Sequence, residues 1–195
     1  MDACASVWAA RKFIPGAADA AVAFRSANWN GAEMTENDIA VDMDVGGRGW
    51  KGVQEENGVT HSCLALIVAK HASREEQWAL KRLVAYVDLQ DAHGSIVHRL
   101  APQMEKENQL MLSANGLNEV VWYLHTSFPE NDALVLARMA EIFDGYLIRG
   151  LGFKRGQKEA SKAELVGEKR EVAIHRGSEH AAYGILFGRG VSIIV

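Results

Sequence analysis

The chain has 195 residues and a formal net charge of −4, with 48% hydrophobic, 8% aromatic and 24% charged residues. This composition excludes a disordered or collagen-like polymer and predicts ordinary globular protein with a substantial core. Two cysteines are too few for a disulfide scaffold or a four-thiolate zinc site, and no apolar stretch approaches the roughly 18 residues of a membrane span. We therefore expect a cytoplasmic protein with no membrane partner.

The first half of the chain alternates helix and strand patterns, as a parallel sheet requires. In chain order we first predict a helix over Asp2–Phe13 that ends at Pro15-Gly16, a strand over Ala20–Ser26, a turn-rich connection over Asn28–Asp38 and a strand over Ile39–Asp42. A loop over Gly46–Val59 then leads to a helix over Cys63–His71 that is capped by Thr60 or Ser62. The next helix runs from the Ser73-Arg74-Glu75-Glu76 capping box to about Leu83, and a strand over Val84–Val87 follows it.

The second half is predicted to be helical before it ends in two strands. The helices are Glu105–Leu117, Asn118–His125, Asn131–Tyr146 and Lys154–Glu168, and the strands are Glu171–His175 and Val191–Val195. The predicted fold class is α/β, with a mostly parallel sheet flanked by helices, a helical second half and a small C-terminal strand pair. We assign residues 1–100 to the α/β region and 101–195 to the helical region, packed as one unit. The abrupt apolar ends predict termini that are trimmed or that lie inside the sheet.

Carboxylates follow two of the predicted strands. Asp42 and Asp44 come directly after an apolar run and share one face at a spacing of two, and Asp88 and Asp91 follow the next strand. Open parallel sheets bind ligands at the C-terminal ends of their strands, and carboxylate oxygens are the ligands of hard cations. The four residues therefore predict a site for a hard cation. The alternative for either cluster is a solvated turn.

These same segments resemble the DHH phosphoesterase superfamily, and most nearly its melanocyte-proliferating-gene exonuclease-like branch. Asp2-Ala3-Cys4-Ala5-Ser6 is similar to the end of the family's first motif, Asp44-Val45-Gly46-Gly47 to its second, and Val87-Asp88-Leu89-Gln90-Asp91 with Gly94 to its fourth. The resemblance covers about residues 2–100 and implies that Asp2, Asp44 and either Asp88 or Asp91 bind Mn²⁺ or Mg²⁺. The strand that precedes the first motif in the family is missing here.

The family's Asp-His-His motif is degenerate in this chain. Residues 48–60 contain no histidine, and His61 is the candidate that follows them. We take His61 and His93 as candidate catalytic residues, since imidazole can bind a metal or transfer a proton, with a helix-entry residue and a turn residue as the alternatives. Candidate substrate-binding residues are Arg48, His175, Arg176 and His180, whose cations can hold phosphate.

The predicted function is metal-dependent hydrolysis of a phosphoester in a nucleotide or short oligonucleotide. The alternative is a catalytically degenerate relative that binds a small anionic ligand or a partner subunit. Serine hydrolysis has no support, because the Gly-x-Ser-x-Gly elbow is absent from the sequence. The apolar strand at the C-terminus predicts a homo-oligomer, because an exposed apolar edge favours association.

Overall fold

The computed structural model describes residues 1–25, 29–46, 49–54, 59–94, 103–113, 116–167, 172–191 and 193–194. Within these ranges the helices are α1 (Asp2–Phe13), α2 (Cys63–His71), α3 (Arg74–His93), α4 (Lys106–Ser113), α5 (Leu117–Ser127), α6 (Asp132–Ala160) and α7 (His180–Gly188). The strands are β1 (Ala40–Val41), β2 (Gly49–Trp50), β3 (Val53–Gln54), β4 (Thr60–His61), β5 (Glu164–Val166), β6 (Val172–Ile174) and β7 (Ile193–Ile194).

The chain divides into two compact units. The first consists of Met1–Ser73 and Lys81–Asp144, and the second of Arg74–Leu80 and Gly145–Val195. In the first unit α1 packs against α2, and the ring of Trp8 lies 5.5 Å from that of Phe143 in a tilted contact. Burial of such large side chains supplies most of the stability of a unit of this size.

The sheets are small. β1 pairs parallel with β2, β3 pairs antiparallel with β4, and β5, β6 and β7 form a sheet in which β6 lies in the centre. The chain is thus a mixed α and β protein, and the prediction of one large parallel sheet is wrong for its described part. The predicted C-terminal strand pair is present as β6 and β7, and β5 joins it as a third strand.

The largest correction concerns α3. The predicted strand over Val84–Val87 lies inside this 20-residue helix. Leu80, Leu83 and Val87 are all at most 1% exposed, and their spacing of three and four residues is that of one helix face. A short apolar run fits both a buried strand and a buried helix, and here the helical period continues through it. Asp88 and Asp91 therefore lie on a helix and not on a loop after a strand.

Other predicted boundaries also change. Residues 20–25 form no strand, and the predicted loop over Gly46–Val59 contains β2 and β3. The helices predicted over Asn131–Tyr146 and Lys154–Glu168 are one continuous helix that ends at Ala160. By contrast, α1 and α2 have the predicted bounds, and Ser62 is the N-cap of α2.

The second unit has a small core of Ala160, Ala173, Ala182, Leu186 and Val191. Close helix contacts compensate for these small side chains. A Cβ added at Gly150 of α6 would fall 2.7 Å from the Cα of Ala79, so only glycine permits this approach. None of the helices in the described ranges is long and apolar enough to cross a membrane.

Candidate functional site

The candidate site is built around the N-terminus of α2. Ser62 caps this helix through its side chain, which accepts a hydrogen bond from the Ala65 N–H at 3.2 Å. The N–H and Oγ–H of Ser62 both donate to Asp88 Oδ1, at 2.8 and 2.6 Å. Asp88 of α3 is thus fixed by the residue that begins α2. A carboxylate in this position also stabilises the helix through its dipole.

Asp2 holds the same helix end from α1. Its carboxylate accepts the N–H of Cys63 at 2.8 Å, the N–H of Leu64 at 3.1 Å and the Oγ–H of Ser6 at 2.8 Å. The residue is only 6% exposed, so these charge-assisted bonds form away from water.

Together with the Ser62 and Ala65 amides, the bonds to Asp2 pair the first four N–H groups of α2. Unpaired N–H groups at a helix start are what normally bind phosphate. These N–H groups of α2 are not available to phosphate, because each already donates to a carboxylate or hydroxyl oxygen of the chain itself.

Two further carboxylates, Asp42 and Asp91, lie within electrostatic range of Asp2. Loss of solvent around its carboxyl, followed by the charges of Asp2 and Asp91, raises the pKa of Asp42 to about 6, although the residue as a whole is exposed. Desolvation, followed by Asp2 and Asp88, also raises the pKa of Asp91. Like charges held close together disfavour ionisation. The structure therefore gathers Asp2, Asp42, Asp88 and Asp91 into one carboxylate cluster, and we use this name for these four residues below.

Asp42 has an unusual backbone. Among the described residues it is the one non-glycine residue with positive φ, at 59°. Its N–H donates to the Trp50 carbonyl oxygen at 2.7 Å and lies 3.4 Å from Cys63 Sγ. Asp tolerates this left-handed conformation better than most residues. The turn places Asp42 immediately after β1, at the point where Cys63 begins α2.

Cys63, whose sulfur contacts the Asp42 N–H, is fully buried. Desolvation is the main cause that raises the pKa of its thiol to about 12, so the group stays protonated over the physiological range. A protonated, inaccessible thiol is a poor nucleophile. Cys63 is thus a small buried side chain whose sulfur also serves as a hydrogen-bonding partner for the Asp42 N–H.

Gly52, between β2 and β3, leaves space beside Asp91. A Cβ added there would lie 3.1 Å from Asp91 Oδ2 and 3.0 Å from the His61 carbonyl oxygen. Contacts of this length are tighter than nearly all real Cβ contacts. Glycine thus keeps the surface next to one carboxylate of the cluster open.

The cluster fits a divalent cation in donor type, because carboxylate oxygens are the preferred ligands of Mg²⁺ and Mn²⁺. Within the described ranges, however, no group of three or more His, Cys, Asp and Glu side chains already has the geometry to hold a metal ion. No described residue donates a hydrogen bond to the carboxylate of Asp42 or of Asp91.

The other predicted site residues of the first half are placed as follows. Asp44 is exposed two residues beyond Asp42, His61 is half-buried in β4, and His93 is the exposed last residue of α3. Arg48 lies outside the described residues. The catalytic roles of His61 and His93 and the metal-ligand role of Asp44 stay predictions.

The predicted substrate-binding segment after β6 lies in the second unit. The His175 side chain is 2% exposed, and its Nε2 lies 3.4 Å from Glu159 Oε2, too poorly placed for a hydrogen bond. Arg176 and His180 are exposed, and the Glu179 N–H donates to Glu159 Oε2 at 3.1 Å. His175 therefore faces a carboxylate of its own chain, while Arg176 and His180 face solvent.

Sequence reasoning missed the residues that hold the cluster in place. Ser6 and Cys63 are fully buried and touch Asp2 or Asp42, and Gly52 borders Asp91. One signal was available, since Ser6 lies four residues after Asp2 and thus on the same face of α1.

Comparison of the chain with protein-family models, with curated proteins and with solved structures finds no match.

Proposed function

We propose that this chain is a metal-dependent phosphoesterase that uses Mn²⁺ or Mg²⁺ and acts on a nucleotide or a short oligonucleotide. The observation that carries the proposal is the carboxylate cluster at the start of α2. Desolvation, followed by repulsion from neighbouring members of the cluster, raises the pKa values of Asp42 and Asp91. A cation bound there would remove that repulsion, because it supplies the positive charge that the metal-free cluster lacks.

The four carboxylates divide into two pairs with different tasks. The carboxylates of Asp2 and Asp88 accept hydrogen bonds from the N-terminus of α2, and these bonds hold both residues in place. Asp42 and Asp91, whose carboxylates accept no hydrogen bond from the described residues, are the ligands most available to a cation. When bound, the cation would neutralise charge on a phosphate oxygen and lower the pKa of a bound water.

The capped helix end favours a cation over direct anion binding. A phosphate brought to this surface meets four carboxylates and no unpaired N–H at the start of α2. Such a surface repels phosphate in the absence of a cation. His61 and His93, which lie in the same unit as the cluster, and Arg48 are proposed to assist in substrate binding and proton transfer, as their side-chain chemistry allows. The substrate-binding roles of His175, Arg176 and His180 stay predictions.

A second candidate is a degenerate, non-catalytic relative that binds an anionic ligand or a partner subunit. Two observations favour it. No ligand set of three is formed within the described ranges, and no histidine occurs in residues 48–60. The two candidates differ in one measurable property, which is metal-dependent turnover.

The experiment is hydrolysis of bis-p-nitrophenyl phosphate with Mn²⁺, with Mg²⁺ and with a chelator. We expect turnover with added metal alone, and we expect Asp42→Asn and Asp91→Asn each to reduce it at least tenfold by removing a ligand. Asp19→Asn, which removes an equal charge from an exposed residue, is the matched control and should keep full activity. Turnover that survives both chelation and Asp42→Asn would reject the metal centre. Inactivity with no bound Mn²⁺ would instead favour the non-catalytic relative.

We also propose that the protein acts in the cytoplasm as a homo-oligomer. The oligomer follows from the apolar C-terminal strand, of which Ile193–Ile194 is described as β7 and Val195 lies outside the described residues. Light scattering of the purified protein tests this directly. A monomer at micromolar concentration would contradict it.

A further inference from the structure

A line of buried polar groups connects the two carboxylate pairs. The Asp42 N–H lies 3.4 Å from Cys63 Sγ, the Ser6 hydroxyl is a hydrogen-bonding partner of the Cys63 thiol, and the Ser6 hydroxyl donates to Asp2 Oδ1 at 2.8 Å. Cys63 and Ser6 are both fully buried. Groups so enclosed keep their partners, because water cannot replace them.

Cys63 links Asp42 and Asp2 through its own atoms. Its N–H donates to Asp2 Oδ2 at 2.8 Å, and its sulfur is the acceptor that lies 3.4 Å from the Asp42 N–H. The Ser6 hydroxyl donates to the other oxygen of Asp2, Oδ1, and so holds the carboxylate that binds the Cys63 N–H.

The Asp42 end of this line needs support. The left-handed conformation at φ 59° costs energy for any residue with a Cβ. Its N–H has the Trp50 carbonyl oxygen on one side, at 2.7 Å, and the sulfur on the other. The carbonyl ties Asp42 to β2, whereas the sulfur ties it to the start of α2, where Asp2 and Asp88 are held.

We propose that Cys63 is a positioning residue for Asp42: its sulfur accepts the Asp42 N–H while Asp2, itself held by Ser6, binds the Cys63 N–H, and so the Asp42 turn is held in register with the carboxylates fixed at the start of α2. This inference rests on the proposed function in so far as Asp42 binds a cation. Cys63 itself touches neither cation nor substrate. Its buried position and its use as an acceptor distinguish it from the half-buried Cys4, which lies on the same unit outside this line.

The test compares Cys63→Ala, Cys63→Ser, Ser6→Ala and the control Cys4→Ala with the parent. The first readout is Mn²⁺ affinity, measured from the electron paramagnetic resonance signal of unbound Mn²⁺. We expect Cys63→Ala and Ser6→Ala each to weaken binding about tenfold, as loss of an outer partner of a ligand does. Cys63→Ser, which restores a donor and an acceptor, should recover most of the affinity, and Cys4→Ala should not change it.

The second readout needs no metal. Hydrogen exchange of the Asp42 amide, followed by NMR in the metal-free protein, should be several-fold faster in Cys63→Ala and Ser6→Ala than in the parent. The inference is overturned if the exchange rate of this amide matches that of the parent in both variants, or if Cys63→Ala lowers the melting temperature but leaves Mn²⁺ affinity unchanged. If the parent binds no Mn²⁺ while the amide still responds, the proposed function fails and the positioning of Asp42 by Cys63 stands. Ser6→Ala keeps a good helix former in α1 and thus supplies a folded variant should Cys63→Ala not fold.

Discussion

Replacing Asp42 by Asn should make the metal-free protein more stable near neutral pH. Burial of the carboxyl and the charges of Asp2 and Asp91 raise its pKa from 3.8 to about 6 in the folded chain. A carboxyl whose pKa is higher in the folded state binds protons more tightly there. The free energy of unfolding therefore falls as pH rises from about 4 to about 6, and the loss persists above that range.

The size of the effect follows from this change in pKa. Taken at full value, a rise from 3.8 to about 6 corresponds to about 3 kcal/mol. Because more than a third of Asp42 is exposed, solvent screening reduces this to about 1 kcal/mol. Asn removes the charge and keeps a residue that accepts φ near 59°, so the full gain should appear. Asp42→Ala removes the same charge but adds about 1 kcal/mol of backbone strain, and its stability should equal that of the parent.

The assay is urea denaturation of the parent and both variants at pH 4 and pH 7.5 in the presence of a chelator. We expect Asp42→Asn to exceed the parent by about 1 kcal/mol at pH 7.5 and by almost nothing at pH 4. Saturating Mn²⁺ should reverse the order, since it stabilises only a chain that binds it. If Asp42→Asn is instead less stable than the parent at pH 7.5 without metal, the carboxylate has a structural partner and the reasoning from repulsion is refuted.

Four further substitutions, of which Gly145→Ala is a control, separate structural from functional roles. Asp2→Ala leaves buried amide and hydroxyl donors unpaired and should lower the free energy of unfolding by about 3 kcal/mol in urea, a loss that an unchanged midpoint would contradict. Gly52→Ala should weaken Mn²⁺ binding by pushing a methyl group against Asp91, whereas Gly145→Ala, with nothing within 4 Å, should leave binding intact and raise the melting temperature. Gly177→Ala should destabilise the second unit, because its methyl group would overlap a carboxylate and an imidazole, and intact hydrogen-exchange protection in α7 would show otherwise.

The parts of the fold that the sequence predicts well are those with local signals. α1 ends at the Pro15-Gly16 turn and α2 begins at the Ser62 cap, and both have the bounds expected from these residues. Residues 84–87 give no such signal, because a run of four apolar or small residues fits a strand as well as a helix. The helix wins because Leu83 and Val87 continue the buried face begun by Leu80.

The prediction of a large parallel sheet depended on that error. With Val84–Val87 counted as a strand, the first half of the chain had the alternation of a doubly wound fold. Once this segment is helical, the two-residue strands β1 and β2 are the parallel pair of the first unit's described part. The carboxylates nevertheless stay close to the end of β1, because α3 and α1 both reach the start of α2.

The site illustrates what sequence patterns leave out. Asp42, Asp88 and Asp91 stand out as clustered carboxylates, but which of them are tied up in hydrogen bonds depends on contacts such as that between Asp2 and Cys63, 61 residues apart. No periodicity encodes a contact of that range. The distinction matters for stability. Removal of a carboxylate that accepts hydrogen bonds from a helix end should destabilise the protein, whereas removal of one that only repels its neighbours should stabilise it.

The arrangement at α2 also explains why repulsion among the carboxylates is tolerated. The bonds that Asp2 and Asp88 accept from Ser62, Cys63 and Leu64 stabilise the start of this helix, and each is a charge-assisted bond. That gain offsets the cost of holding Asp42 and Asp91 nearby with raised pKa values. If the two carboxylates served the fold alone, Asn at both positions would relieve the cost with no loss. A ligand that compensates negative charge would also remove that cost, and the divalent cation proposed above is such a ligand, because its preferred donors are oxygens.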